Sequence, residues 1–345
     1  MNDKLLKIKR NVLIVPVLVA AFVTVYFLSA FFLPAKIGSN ETARVYIEYG
    51  SGFNNAAEEL KKEGLLRNKL IFMAYAVATG SRAKLKAGEY EFSYSENMVS
   101  ILNRIVKGDV IKYRIVFPEG SELRDMAALV ERSGLGYAEE FLRIASDREF
   151  LKSIGIEYKS AEGLLFPDTY NFVRGEGEKK IISVMHARFR EKVKIDLKGR
   201  YNIQGLSLSG YYVIKLASLV EKESKVDSER AKVASVFVNR LKSPEPYQKK
   251  LESCATVRYA LNKKTGALTY RDLRVDSPYN SYIYIGLPPT PICAPGLKSI
   301  EAALNPSVTK YRFFVVRDEG EHTFSETLEG HNAAKIENRK NRGSK

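Results

Sequence analysis

The sequence has few of the residues that commonly mark a metal or redox centre. It contains two cysteines, three histidines and no tryptophan among 345 residues. His186, His322 and His331 form no HExxH motif, and neither Cys254 nor Cys293 belongs to a CxxC pair. We therefore predict no metal site and no cofactor. A GxSxG motif is also missing, which argues against a serine hydrolase.

Acidic residues are fewer than basic ones. The 55 Lys and Arg residues against 40 Asp and Glu give a formal net charge of +15. This balance favours an anionic partner, such as nucleic acid, phospholipid head groups or an acidic wall polymer, although a basic surface that serves only solubility explains it equally well. No zinc-finger spacing or ribonucleoprotein motif is present, and the export inferred below also argues against nucleic acid.

What the sequence does contain is one long uncharged run, Val12–Leu33. At about 1.5 Å per residue a helix of this length reaches about 33 Å, enough to cross a hydrocarbon core of about 30 Å. Cationic side chains cluster before the run, so the positive-inside rule places residues 1–11 in the cytoplasm. A cleaved signal peptide is the alternative, but its apolar segment is usually only about 7–15 residues long. We predict a transmembrane helix at 12–33 that holds an exported chain in the cytoplasmic membrane.

The exported part is predicted to be α+β and to form two units. After a polar linker at 34–42, a strand, two helices, a strand and a helix fit a small module at 43–110. A strand followed by amphipathic helices opens a larger domain at 111–340. Within it, Glu162–Tyr170 is a dense loop of turn formers and aromatic residues, and is either a packing loop or the wall of a cleft.

Periodicity predicts several elements of these units. Arg44–Tyr49 alternates as a strand does, with Tyr49 on the apolar face, and Met98–Val106 is a helix that Gly108 stops. Further along, Asp227 or Ser228 can cap a helix whose apolar stripe predicts packing against the helix before it.

The stretch that begins at Tyr212 carries the most chemical information. Nearly every residue from there to Val220 is apolar, as in a buried helix, and two acids, Glu221 and Glu223, follow at once. On a helix each acid lies over apolar residues of the preceding turn. A carboxyl in such surroundings has a raised pKa, the property that a general acid needs near neutral pH. Solvated ion pairs with neighbouring lysines are the alternative that the pattern leaves open.

The residues around these acids closely resemble the endolytic murein transglycosylase family, also known as YceG-like. The resemblance is carried by Leu216–Ser224 and by Ser228–Leu241. Shorter matching motifs extend it over essentially the whole exported chain: Glu162–Tyr170, Ser277–Tyr282, Gly286–Pro289, Pro291–Gly296, His322–Ser325 and His331–Asn332. So many matches in the same order are poorly explained by chance.

The resemblance implies a fold and an activity. It implies a membrane anchor, a LysM-like module at 43–110, and a catalytic domain at 111–340 with one essential glutamate, which maps to Glu223. The implied reaction is cleavage of the bond between N-acetylmuramic acid (MurNAc) and N-acetylglucosamine (GlcNAc) in nascent glycan strands. It leaves 1,6-anhydroMurNAc ends, with Glu223 acting first as acid and then as base. The implied partners are peptidoglycan glycan strands and the peptidoglycan synthases.

Further candidate residues lie in the matched motifs. Ser224 completes the Glu-Ser pair of other lytic transglycosylases, and the amide of Asn280 suits sugar hydroxyls or acetamido groups. Tyrosine and phenylalanine must supply any stacking on sugar rings, since tryptophan is lacking. His322 stays outside the catalytic set, because a histidine is more often packed or at the surface than a ligand. The predicted substrate-binding residues are Glu221, Ser224, Asn239, Tyr279, Asn280 and Tyr282.

One segment departs from the family pattern. Within Leu251–Val257, Cys254-Ala255 stands where many relatives have Asp-Pro, which puts any role of that aspartate in doubt. We hypothesise a disulfide between Cys254 and Cys293, because both lie in exported segments matched to the active-site side. Such a link would contribute about 3–4 kcal/mol on the chain-entropy model. Two separate buried thiols are the alternative.

Two other functions compete with this prediction. One is a noncatalytic peptidoglycan-binding scaffold of the wall-synthesis machinery. The other is a hydrolase that uses water and leaves reducing ends. The products of peptidoglycan digestion distinguish all three.

Overall fold

The computed structural model describes residues 2–317 and 320–343, with side chains from residue 16 to residue 340 outside that gap. The fold is mixed α+β, as predicted. The chain divides into two compact units, of which the first holds the residues up to Tyr113 together with Asn171–Glu176 and the second holds the rest. Nothing in the sequence pattern predicted that Asn171–Glu176 returns to the first unit. The predicted roles of the segments at 34–42, 43–110 and 111–340 stay predictions.

The first unit is built around one antiparallel strand pair. Its elements are α1 (Asn2–Phe32), β1 (Thr42–Ile47), α2 (Phe53–Lys62), α3 (Lys69–Ala78), a 3₁₀ turn (Arg82–Lys84), β2 (Gly88–Ser93) and α4 (Met98–Lys107). Every second residue of β1 is buried, as the alternation predicted. Tyr49 lies beyond the end of the strand and is exposed, so its predicted place on the apolar face is wrong. Gly108 ends α4 in the left-handed conformation with φ 75°, as predicted.

The predicted cytoplasmic tail, 1–11, and the start of the predicted span, 12–15, lie outside the residues whose side chains the structure describes. Over the described residues, no helix has the length and apolar content needed to cross a membrane. The transmembrane helix remains a prediction. At the end of α1, Ala30 is buried in the core of the first unit and Phe31 packs edge-on against Tyr75, with ring centroids 5.2 Å apart.

The second unit is mainly helical, with short strand pairs. The unit boundary passes through β3 (Tyr113–Val116) and its partner β4 (Thr169–Phe172). The other elements are α5 (Leu123–Arg132), α6 (Ala138–Ile144), α7 (Arg148–Ser153), α8 (Gly177–Lys192), β5 (Arg200–Ile203), β6 (Leu206–Ser209), α9 (Gly210–Glu223), a 3₁₀ turn (Asp227–Glu229), α10 (Arg230–Leu241), 3₁₀ turns (Pro246–Lys249 and Asp272–Arg274), α11 (Cys254–Leu261), α12 (Leu297–Leu304), β7 (Phe313–Val316), β8 (His322–Ser325) and α13 (Leu328–Gly343).

Helix α9 is the buried helix that the sequence predicted, and it packs against α10 and α12. The side chain of Ser209 caps its start by accepting a hydrogen bond from the Tyr212 N–H. Lys215 is tolerated inside because its ammonium lies over the rings of Tyr211 and Tyr212, 5.0 and 4.4 Å from their centroids. Burial lowers the pKa of Lys215 to about 8. The apolar length of α9 therefore fixes the position of the polar residues at its end.

The predicted cap of α10 is wrong. The helix begins at Arg230, with Glu229 as its N-cap and no side-chain capping bond. Asp227 belongs to the preceding 3₁₀ turn and instead binds Nε of Arg230 at 3.0 Å. Arginine offers a charged donor that competes with the backbone N–H groups for the aspartate.

Candidate active site

Glu223 is the last residue of α9, and its carboxyl meets the start of α11. The hydroxyl of Ser253 donates a hydrogen bond to its Oε1 at 2.5 Å, and the backbone N–H of Ala255 donates a second. Ala255 is in the first turn of α11, where the helix dipole favours a negative charge. The carboxyl is thus oriented by two donors on a neighbouring helix.

The environment of Glu223 suits proton transfer. Burial raises the pKa of the Glu223 carboxyl above its ordinary value, while the bonds from Ser253 and Ala255 and the charge of His322 lower it. Burial is the largest effect, so the pKa is raised overall. The carboxyl itself is buried, whereas the residue as a whole is partly exposed. A carboxyl with a raised pKa can donate a proton and then take one back.

A buried hydroxyl network holds Ser253 in place. The Oγ of Ser281 accepts a 2.9 Å hydrogen bond from the Ser253 N–H and pairs with Oγ1 of Thr256 at 2.8 Å. Thr256 in turn donates to the Ser253 carbonyl at 2.8 Å. Sequence reasoning missed Ser253 and Ser281 as site residues. Both lie in segments compared with the family, but nothing in their spacing shows that two distant serines meet.

The other acid at the end of α9 has a different environment. Oε2 of Glu221 lies 3.2 Å from Nη1 of Arg230 and accepts a 3.0 Å bond from the Gly296 N–H. Both partners of this ion pair are nearly buried. Glu221 is therefore engaged in an internal ion pair, and its predicted contact with substrate stays a prediction.

Two predicted residues share the surroundings of Glu223. Ser224 is buried, and its Oγ has no hydrogen-bond partner among the described residues. The hydroxyl of Tyr282 lies 3.1 Å from Sγ of Cys254. Burial raises the pKa of Tyr282, and the charge of Glu223 raises it further. The two side chains therefore interact electrostatically.

The other predicted substrate-binding residues have protein partners. Asn239 donates two 2.9 Å hydrogen bonds to backbone carbonyls. Asn280, which is fully buried, donates two more at 3.0 and 2.9 Å. The hydroxyl of Tyr279 pairs with Oγ1 of Thr290 at 2.9 Å. These bonds give the three residues roles in holding loops, and their predicted contact with substrate stays a prediction.

The two cysteines are free, so the disulfide hypothesis is wrong. Cys254 is exposed beside Tyr282, whereas Cys293 is fully buried and donates to the carbonyl of Ser218 at 3.4 Å. The thiols point to different neighbours, one at the start of α11 and one against α9. The alternative of two separate thiols holds, although only Cys293 is buried.

A second buried carboxyl lies in the Glu162–Tyr170 loop. Glu162 accepts hydrogen bonds from the Leu123 N–H, at 3.2 and 3.3 Å to its two oxygens, and from the Tyr259 hydroxyl at 3.0 Å. Burial raises its pKa to about 8. Since Glu162 and the apolar residues after it are buried, the loop is a packing loop.

A cavity of about 460 Å³ is lined in part by the segment that leads into Ser253. Its lining includes Glu252, the residue before Ser253, and Phe313. Arg240 binds Oε2 of Glu252 at 2.8 Å on its wall. Across residues 2–317 and 320–343, no group of three or more His, Cys, Asp or Glu side chains could hold a metal ion, and the expectation of a metal-free site stays a prediction.

The chain is similar in sequence and in fold to proteins that are already known. Residues 45–337 match the model of the YceG-like family. The chain is 29% identical to the endolytic murein transglycosylase of Bacillus subtilis over 317 residues, which cover 88% of this chain and 86% of that protein. It is 28% identical to the protein of that name from Streptococcus pneumoniae strain R6, over 87% of this chain and 59% of the longer relative. A crystal structure of a yceG-like protein from Listeria monocytogenes superposes with a TM-score of 0.55 at 31% identity, covering 86% of this chain and all of that one.

These similarities confirm the predicted family. The enzyme class in the names of the curated relatives is the predicted one, a murein transglycosylase. The comparisons do not identify the residues that carry out the chemistry. The evidence for those residues is the geometry of the site.

Proposed function

Because the chain belongs to the YceG-like family, we propose that it is an endolytic lytic transglycosylase that cuts peptidoglycan glycan strands with Glu223 as its catalytic residue. The observation that carries this proposal is the Glu223 carboxyl itself, which is held by Ser253 and Ala255 and has a pKa raised by burial, in a residue that is partly exposed. An acid of this kind is what cleavage of a glycosidic bond requires.

In the first step the protonated Glu223 donates to the oxygen that links MurNAc to GlcNAc. The bond between that oxygen and C1 of MurNAc breaks, GlcNAc leaves with a free 4-hydroxyl, and positive charge develops at C1. The acetamido group of the substrate can stabilise this charge, as it does in substrate-assisted glycosidases. The carboxylate formed on Glu223 is stabilised by the two donors at the start of α11.

In the second step the Glu223 carboxylate accepts the proton of the C6 hydroxyl of the same MurNAc. The oxygen at C6 bonds to C1, which yields the 1,6-anhydro end and returns the proton to Glu223. One carboxyl therefore serves both steps, and no second carboxylate nucleophile is needed. Among the described residues, those that lower the pKa of Glu223 are Ser253, Ala255 and His322, none of which is a carboxylate.

We also propose that Val12–Leu33 anchors the chain in the cytoplasmic membrane with its catalytic unit outside. The support is the uncharged run with its preceding cationic cluster. In intact spheroplasts an added protease should digest the catalytic unit, as it digests a known exported protein. Protection of the catalytic unit until the membrane is lysed would contradict the proposed orientation.

Digestion of purified peptidoglycan by the full chain tests the activity. The wild type should release fragments with 1,6-anhydroMurNAc ends, and Glu223→Gln should release none. Glu157→Gln, which changes an exposed acid paired with Lys198, is the matched control and should digest like the wild type. Equal inactivity of all three proteins would favour the scaffold, whereas reducing ends would favour a hydrolase.

A further inference from the structure

His322 is fixed by the carboxylate of Glu229. Its backbone N–H donates to both oxygens of Glu229, at 3.1 and 3.0 Å, and its Nδ1 lies 2.8 Å from Oε2 of the same residue. The side chain of His322 is fully buried. A carboxylate only accepts hydrogen bonds, so Nδ1 carries the hydrogen and the orientation of the ring is set.

The other ring nitrogen has no such partner. Nε2 of His322 is buried and without a hydrogen bond among the residues that the structure describes. Its ring packs edge-on against Phe314, with centroids 5.1 Å apart, and lies 6.0 Å from that of Phe324. A buried polar atom left without a partner is destabilising, so its presence next to a candidate active site calls for a functional explanation.

The segment that holds His322 lies beside the segment that follows Glu223. A Cβ at Gly320, two residues before His322, would lie 3.2 Å from Cβ of Lys225, two residues after Glu223. A positive charge on His322 lowers the pKa of the Glu223 carboxyl, which burial raises overall. The titratable groups that interact with the charge of Glu223 include His322 from β8 and Tyr282, and Glu229 is bonded to His322.

We propose that His322, held by Glu229, is a positioning residue that stabilises the Glu223 carboxylate between its two proton transfers. In the imidazolium form both ring nitrogens carry hydrogen, and Glu229 supplies the counter-charge. The aromatic surroundings of the ring exclude water and strengthen the attraction between the two charges. This role rests on the proposed function, in which Glu223 exists as a carboxylate halfway through each turnover.

The direct test needs no activity. The full chain is labelled with ¹³C at glutamate carboxyls and titrated by NMR, with the Glu223 signal assigned by its loss in Glu223→Gln. Removal of the cation should raise the midpoint of Glu223 in His322→Gln by about half a pH unit or more. His331→Gln is the matched control, because His331 is also buried with one unpartnered ring nitrogen but is acted on by Lys335, Arg240 and Glu252. It should leave the midpoint where it is.

Glu229→Gln provides a second variant in case His322→Gln fails to fold. It keeps an oxygen that accepts from the His322 N–H but removes the counter-charge, which disfavours the imidazolium. The midpoint of Glu223 should again rise, by less. An unchanged midpoint in the folded variants would overturn the proposal, whether or not the wild type cleaves peptidoglycan.

The pH profile of kcat/KM on peptidoglycan gives the functional readout. Activity falls as pH rises through the pKa of Glu223, because the general acid must be protonated. In His322→Gln this basic limb should move to higher pH, and the maximum rate should fall about tenfold, since the carboxylate intermediate loses its cation. A lower rate in His322→Gln, with the basic limb of the pH profile at the wild-type position, would mean that His322 only supports the fold. A wild type without activity would contradict the proposed function. The NMR titration midpoint of Glu223 would then be the test of the role of His322.

Discussion

Glu223 and Glu162 are both buried carboxyls of the second unit with raised pKa values, yet their surroundings differ in kind. Glu162 is 3% exposed and is bound by the Leu123 N–H and the Tyr259 hydroxyl. The ring of Tyr259 is covered in turn by that of Tyr279, with centroids 4.9 Å apart. Glu223 is partly exposed as a residue, and next to it Ser224 has a buried hydroxyl that finds no partner among the described residues. Burial alone raises a carboxyl pKa, but a catalytic acid also needs access and neighbours with unused hydrogen-bonding capacity.

The largest expected effect is on the rate of glycan cleavage, which should distinguish Glu223 from Glu162. Glu223→Gln should lower the rate of glycan cleavage by about a thousandfold, because general acid–base catalysis typically contributes 10²–10⁴-fold. Glu162→Gln should keep the rate within several-fold of the wild type, since its amide can still accept from Leu123 and Tyr259. Rates of fragment release under identical conditions check this. Equal losses in both variants would mean that the comparison between them is wrong.

The next effect concerns stability. Glu162→Ala leaves the Leu123 N–H and the Tyr259 hydroxyl without their acceptor and opens a small cavity. We expect a destabilisation of about 2–4 kcal/mol, measured as a lower denaturant midpoint. Glu223→Gln should leave the midpoint unchanged or slightly higher, because it removes a charge that is costly to bury. A large drop for Glu223→Gln would make that residue structural.

The dependence of stability on pH should follow Glu162. Its pKa in the folded protein, about 8, lies above the ordinary value of 4.5, so the folded state holds a proton that the unfolded state releases. The stabilisation is fully present below about pH 4.5 and is lost as pH rises toward 8, at about 1.4 kcal/mol per pH unit. The unfolding midpoint of the wild type should therefore fall relative to that of Glu162→Gln as pH rises from about 4.5 toward 8, and the difference between them should be constant below that range. Parallel curves would show that Glu162 titrates normally.

A smaller effect is expected from the hydroxyl network. Ser253→Ala removes a bond that lowers the pKa of Glu223, so that pKa should rise and cleavage should slow about tenfold. Ser235→Ala, which changes a serine on α10 that pairs with Thr309, is the matched control and should not alter the pH profile. If both variants behave alike, Ser253 does not orient Glu223.

The sequence predicted those features that depend on local pattern. The buried helix α9 follows from an apolar run, the end of α4 follows from Gly108, and the choice of Glu223 over Glu221 came from the family motif. In the structure Glu221 is held by Arg230, and the choice of Glu223 stays a prediction.

Contacts between distant segments could not be predicted in this way. The meeting of Ser253 with Ser281, and of Glu229 with His322, joins residues 28 and 93 positions apart. Periodicity reports only on neighbours in one helix or strand, so it gives no sign of such pairs. The proposed disulfide failed for the same reason, because export and motif position do not fix the distance between two thiols.

Digestion of peptidoglycan in ¹⁸O-labelled water tests the central claim most directly. If Glu223 takes its second proton from the C6 hydroxyl of MurNAc, the new ends are anhydro, carry no ¹⁸O and are one water lighter than reducing ends in mass spectra. Their formation should stop in Glu223→Gln. Heavy-oxygen label in the new MurNAc ends, or anhydro ends formed at the wild-type rate by Glu223→Gln, would contradict the account.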